Sequence, residues 1–320
     1  MSNKFKLLLI DLLHVDGGSL EDDISSVNLA LSEDYKTKYI KFSANSGFLI
    51  TLKLYIDVFI FCPTKVIFLS SRVNQLFIFI PLRLFCKCYF IYHFMPSHRY
   101  TFHSYALPFL AIFYKIGVYS KGVSNILSKI LGYAPDILPS RIIDADASLD
   151  KLHKKLFCKH VNLMVPGVRP GVRNAIDLPT ILTKINNLGI EVDTVYIQCK
   201  GEPPEYIFSG NGPNIKIFDY IELSDYLKIF SESLFIVIDF DRSYEVRASG
   251  VILDALNNGN IVITSDHPIV FDYGYPNTIV TNLDNIDVII EKIKNSKKNN
   301  EMIVGHNFKD FKKLWNIYLN

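Results

Sequence analysis

"LFIVIDFDRSYEVRASGVILDALNNGNIVITSD", residues 234–266, carries the information that decides the fold. It opens on "LFIVIDF", an almost unbroken apolar run of the kind that forms a strand buried on both faces of a parallel sheet. Further on, Val251, Ile252, Ala255 and Leu256 share one face of a helix, and Ser249 stands where an N-cap belongs. "NIVITSD" (260–266) then supplies a second strand. Strand, helix, strand is a βαβ unit, and its first loop leaves from the carboxyl end of a buried strand. A helix that only packed a core would need none of the polar choices at its start. Gly250 lets a ligand approach the free N–H groups of the first turn, which attract anions. Arg247 adds a planar fork suited to phosphate oxygens. Asp254, one turn in, tilts back toward the helix start, where a carboxylate can hold sugar or ribose hydroxyls.

The same rhythm extends in both directions. Strand patterns occur at "FKLLLID" (5–11), 38–43, 65–70, 88–94 and 116–120, separated by helical or mixed apolar stretches. A polar, proline-bearing stretch at 134–155 reads as a linker. Beyond it come strands at 160–167, 194–200 and 215–221, helices at 177–189 and 223–233, and two C-terminal helices, 282–296 and 307–319. The expected architecture is α/β, with two doubly wound Rossmann-like lobes facing a cleft and C-terminal helices closing the chain. The expected boundaries are 1–150, 151–305 and 306–320, with the last helix free to pack back on the first lobe. Ligands in such sheets sit at the carboxyl ends of the strands.

Composition narrows the function. Of the 320 residues, 49% are hydrophobic and 13% aromatic, ample for two buried sheets. The apolar runs are interrupted by Lys53, Asp57, Arg83, Lys87 and Lys115, which excludes a spanning helix. Five cysteines without disulfide spacing, and no signal-peptide pattern after Met1, point to a cytoplasmic setting. Net charge is +2, but residues 35–135 carry +11, against −5 before them and −4 after. This block is also strongly aromatic ("FIFIPLRLFCKCYFIYHFMPSHRYTFHSY", 77–105). Such a block suits an anionic membrane surface, or it is the solvated basic rim of a buried sheet; it lacks the short signatures of nucleic-acid readers. Cys86 and Cys88 lack the partners of a zinc site, and neither "HVDGGS" nor "PGVRPGVR" has dinucleotide-binding spacing.

"SGVILDALNNGNIVIT" (249–264), preceded by "SDYLKIFSESLFIVIDFD" (224–241), resembles the donor-binding segment of GT-B glycosyltransferases, of the family 4 type that assembles bacterial surface polysaccharide and O-antigen. The resemblance covers essentially the whole chain. It implies a sugar transferase using a nucleotide-diphosphate sugar, without metal or other cofactor. Asp254 takes the place of the second acid of the family's paired glutamates, which holds the ribose. The first falls on Val246, between Glu245 and Arg247, with Tyr244 in the same loop. "VPGVRPGVRN" (165–174) corresponds to the diphosphate loop, through Gly167, Arg169 and Arg173. On the acceptor side, His14, Asp16, Gly17 and Gly18 correspond to the loop near the reacting sugar. His93 is the first candidate for the general base and Asp16 the second. Asp239-x-Asp241 could bind a metal-nucleotide, but two complete αβ lobes suit the metal-free arrangement better. The implied acceptor is a polyprenyl-diphosphate-linked saccharide at the inner membrane face, reached by a peripheral, cytoplasmic enzyme. Two alternatives stay open: a nucleotide-sugar epimerase of the same fold, and a non-catalytic membrane-associated partner in polysaccharide assembly.

Overall fold

Alternation within one strand shows how the apolar runs are used. In the computed structural model, which describes residues 5–14, 20–43, 48–93, 100–168, 177–201, 212–240, 249–267, 270, 278–296 and 307–320, β1 spans Lys6–His14. Leu7 and Leu9 enter one core, while Leu8, Ile10 and Leu12 enter another on the opposite face. The run is continuous because both faces are buried.

The chain divides into two compact units, Met1–Ile142 with Val246–Ala248 and His306–Asn320, and Ile143–Glu245 with Ser249–Gly305. After β1 the first unit contains α1 (Leu20–Ser32), β2 (Lys36–Ser43), α2 (Phe48–Phe61), β3 (Lys65–Ser70), α3 (Val73–Phe79), β4 (Lys87–Tyr92), α4 (Tyr100–Leu110), β5 (Tyr114–Val118), α5 (Lys121–Leu131) and β6 (Asp136–Ile137). The described strands form one parallel six-stranded sheet in the order β2-β1-β3-β4-β5-β6. The C-terminal helix, Phe308–Leu319, also belongs to this unit. It buries Phe311, Trp315, Tyr318 and Leu319 in the same core as Leu7 and Leu9. Trp315 Nε1 donates to the Pro139 carbonyl at 3.0 Å, and the Tyr318 hydroxyl to the Lys115 carbonyl at 2.7 Å.

The second unit contains α6 (Ala145–Leu156), β7 (His160–Val168), α7 (Leu178–Asn186), β8 (Glu191–Cys199), β9 (Asn214–Phe218), α8 (Leu223–Glu232), β10 (Ser233–Ile238), α9 (Gly250–Asn257), β11 (Ile261–Thr264), β12 (Ile279–Val280) and α10 (Ile286–Asn295). Counting that helix, Phe308–Leu319 is α11. The second sheet is also parallel and six-stranded, ordered β12-β11-β10-β7-β8-β9. Both sheets reverse strand order at one point, between β1 and β3 in the first and between β7 and β10 in the second, and such switch points open crevices for ligands.

One expectation changes. The stretch read as a linker contains α6, capped by the Asp144 side chain on the Ala147 N–H and burying Leu149, Leu152 and Leu156. Its polar residues are the outer face of an amphipathic helix.

Gly259 closes α9 at φ +64, and a Cβ there would stand 2.7 Å from the Leu152 nitrogen, with the Ser148 carbonyl oxygen closer still. Both obstacles are backbone of α6, which cannot yield. Gly259→Ala is expected to destabilise the protein by at least about 2 kcal/mol, read from the midpoint of a urea titration at unchanged slope.

Candidate functional site

In the second unit β7 and β10 are neighbours at the switch point, and the segments carrying the expected donor residues follow these two strands in sequence. β7 is bent near its carboxyl end: its register with β8 shifts between Val165 and Val168, and Gly167 adopts φ +64, which favours glycine. Arg169 and Arg173 follow in sequence and lie outside the described residues, as do Tyr244, Glu245 and Arg247, which follow β10. The helix start itself is described. The Ser249 hydroxyl accepts from the Ile252 N–H at 3.4 Å, making it the N-cap of α9, with Gly250 as the first helical residue. Asp254 is half-buried, and its Oδ2 accepts from the Tyr226 hydroxyl of α8 at 3.4 Å.

The same unit holds a cavity of about 480 Å³ at the carboxyl ends of β10, β11 and β12. Asp239, Thr264 and Ser265 line it from the strand ends, and Asp177, Lys184 and Asp284 from α7 and the turn before α10. Lys184 Nζ bonds to Asp284 at 2.7 Å and holds that carboxyl below its ordinary value. Asp177 caps α7, its two oxygens taking the Thr180 N–H and hydroxyl at 3.2 and 2.7 Å. The buried Thr264 Oγ1 has no hydrogen-bond partner among the described residues. Three carboxylates facing one lysine suit hydroxyl or amino groups better than phosphate. Of the residues singled out from sequence, only Asp239 of the Asp-x-Asp pair lines this cavity; none of the expected donor-binding residues does.

The first unit carries a polar cluster at its own switch point, and its central member was missed in sequence. Asp11 is 1% exposed on β1. The Ser70 hydroxyl at the end of β3 donates to its carboxylate, the Leu13 N–H does so at 3.0 Å and the Tyr39 hydroxyl at 3.2 Å. The signal was present, since an acid ending the run "FKLLLID" must be buried with partners or change the strand's course. His14 ends β1, whereas Asp16, Gly17 and Gly18 lie outside the described residues.

His93 follows β4 and sits beside this cluster. Its Nε2 lies 2.5 Å from the Leu69 carbonyl oxygen, which can only accept, so Nε2 carries the proton. Nδ1 is then the basic nitrogen of the neutral ring. Burial pushes the imidazole below its usual value, while the Leu69 carbonyl and the charge of Asp11 pull the other way. A neutral imidazole with its tautomer fixed is equipped to accept a proton at neutral pH. His103, by contrast, reads in sequence as a surface residue, yet it is buried with Nδ1 2.7 Å from the Tyr92 hydroxyl.

Among the described residues, His160, Glu191 and Asp193 could together hold a metal ion. All three are exposed at the amino ends of β7 and β8, opposite the switch-point loops, and His160 Nδ1 already pairs with Asp193 at 3.0 Å.

No family model matches the chain, and no curated protein sequence matches it either. Solved structures do. An α-glucosyltransferase in complex with UDP-glucose and DNA containing an abasic site superposes with a TM-score of 0.55 at 10% identity, covering 99% of this chain and 100% of that one. An α,α-trehalose 6-phosphate synthase from Burkholderia multivorans gives 0.56 at 8% identity, over 99% and 98%. A Listeria monocytogenes protein described as a UDP-N-acetylglucosamine 2-epimerase gives 0.54 at 11% identity, over 98% and 95%. At such identities the likeness is one of fold, and the fold is GT-B-like.

The half-buried imidazole has a measurable consequence. The folded protein binds the His93 proton less readily than the unfolded chain, whose value is near 6.5. The contribution of this residue to stability is therefore complete above that pH and is lost as pH falls toward the lower folded value. Comparing urea titrations of the parent chain and His93→Gln across pH 5–8 should show this part of the acid sensitivity only in the parent.

Proposed function

We propose that this protein is a glycosyltransferase. Its second unit binds a nucleotide-diphosphate sugar, and its first unit binds the acceptor. The observation that carries this is the adjacency of β7 and β10 at the switch point of the second sheet. The segments bearing Arg169, Arg173 and Arg247 follow these two neighbouring strands, and the capped start of α9 follows the second. Three guanidinium groups and a helix N-terminus would supply positive charge to offset the negative charge the diphosphate gains on leaving the sugar. Asp254 would hold ribose hydroxyls, and Gly167 and Gly250 let backbone approach the phosphates. The fold shared over nearly the full chain with an α-glucosyltransferase in complex with UDP-glucose agrees with this reading.

In the reaction, the acceptor hydroxyl oxygen forms a bond to the anomeric carbon as the bond from that carbon to the diphosphate oxygen breaks. The hydroxyl proton passes to a base, His93 through Nδ1 or, failing that, Asp16, and the nucleoside diphosphate leaves. No metal is needed if the arginines carry the leaving charge. The basic, aromatic stretch 35–135 favours a polyprenyl-diphosphate-linked saccharide as acceptor, in the assembly of a surface polysaccharide such as O-antigen.

Thermal shift against UDP, GDP, CDP and ADP and their sugar conjugates is expected to pick out one base. Arg247→Ala should then lower turnover by about 10²–10³-fold with the melting temperature unchanged. A fully active Arg247→Ala protein would overturn the donor-site assignment. Conversion of the nucleotide sugar with no acceptor present would mark an epimerase instead.

A further inference from the structure

The helices α2, α3, α4 and α5 pack on one face of the first sheet, contributing Leu54, Val58, Leu76, Leu107 and Leu127 to a common core. Their outer surfaces differ sharply. α5 turns Lys121, Asn125 and Lys129 to solvent, as an ordinary surface helix does. α2, "FLITLKLYIDVFIF", is apolar apart from Thr51, Lys53 and Asp57, yet of its described side chains only Leu54 and Val58 are buried. Ile60 is 75% exposed. On the neighbouring segments, Leu84 is 82%, Tyr105 79% and Ile112 72% exposed.

These side chains form a connected surface. Phe59 of α2 packs edge-on against Phe85 at 5.4 Å, the Tyr55 hydroxyl donates to the Ile78 carbonyl, and Phe77 of α3 stacks on Phe109 of α4 at 5.8 Å. Among the described residues, twelve of the 23 exposed large hydrophobic side chains fall between residues 52 and 112. That concentration marks an unfinished burial rather than scattered surface residues. Between residues 48 and 115 the single acid is Asp57, and it is neutralised by Lys38 at 2.7 Å. Lys53, Arg72, Arg83 and Lys87 stand exposed on the same elements and their flanks.

We infer that the outer faces of α2, α3, the turn Ile80–Leu84 and α4 dock on the surface of an anionic bilayer. The apolar side chains enter the headgroup boundary, and the flanking lysines and arginines meet lipid phosphates. The charge selects this occupant. A second copy would set cations against cations across a two-fold interface, whereas anionic headgroups complement the rim. Among the described residues no helix is long and apolar enough to cross a membrane, so this surface lies on the bilayer. The inference does not depend on the sugar-transfer reading, and the two can fail separately.

The test is flotation of the full chain with phosphatidylcholine vesicles, with and without phosphatidylglycerol. The protein should float with the anionic vesicles and be released by high salt. Ile60→Glu combined with Leu84→Glu should weaken binding by roughly tenfold or more while leaving the melting temperature and any nucleotide-sugar thermal shift intact. A folded parent chain that fails to float, or a double variant that floats undiminished, would overturn the proposal. So would light scattering that shows a parent dimer converted to monomer by the double variant, which would assign the surface to a second copy.

Discussion

A parallel sheet has two faces and both must be kept from water, and the architecture of the first unit follows from meeting that demand. Its strand order, β2-β1-β3-β4-β5-β6, sends one crossover helix to one face and four to the other, because right-handed connections reverse side only where strand order reverses. α1 alone cannot cover six strands. The deficit is met by α11, whose Phe311, Trp315, Tyr318 and Leu319 lie over the side of the sheet that carries Ile67, Tyr89 and Ile91. The second sheet reverses at its middle, between β7 and β10, and so divides its crossovers more evenly between faces.

Much of this was legible in the sequence, for an identifiable reason. Strands buried on both faces leave long apolar runs, so β3 was read with its observed limits and β1, β7 and β10 to within a few residues. The cap Ser249 was legible, because a short polar side chain before an amphipathic run has few other uses, whereas Asp177 was read as part of its helix and is the cap. The two-residue edge strands β6 and β12 were not, since two residues carry no periodicity. α6 was hidden by its exposed polar face.

The candidate site was less readable than the fold. Motif likeness drew attention to loops, where residue types are conspicuous, and away from Asp11, which sits inside a strand. Only pairing of β1 with β2 and β3 reveals that its carboxylate meets a hydroxyl from each neighbour, Tyr39 and Ser70. The acid-lined cavity draws on segments more than a hundred residues apart in sequence, from Asp177 to Asp284, so no local pattern could announce it. His103 was misjudged for the same reason: its burial depends on Tyr92, a partner set by the sheet.

The place of α11 also bears on how the chain acquires its structure as it is made. Strands β1 to β6 are all synthesised within the first 137 residues, but the helix that seals one of their two faces is made only at residues 308–319. Throughout synthesis of the intervening second unit, the face bearing Leu7, Leu9, Ile67 and Ile91 has no Trp315 to lie against it. The unit translated first is thus the one completed last. An apolar face waiting on the ribosome for its final helix is the kind of surface that chaperones hold and that aggregation exploits.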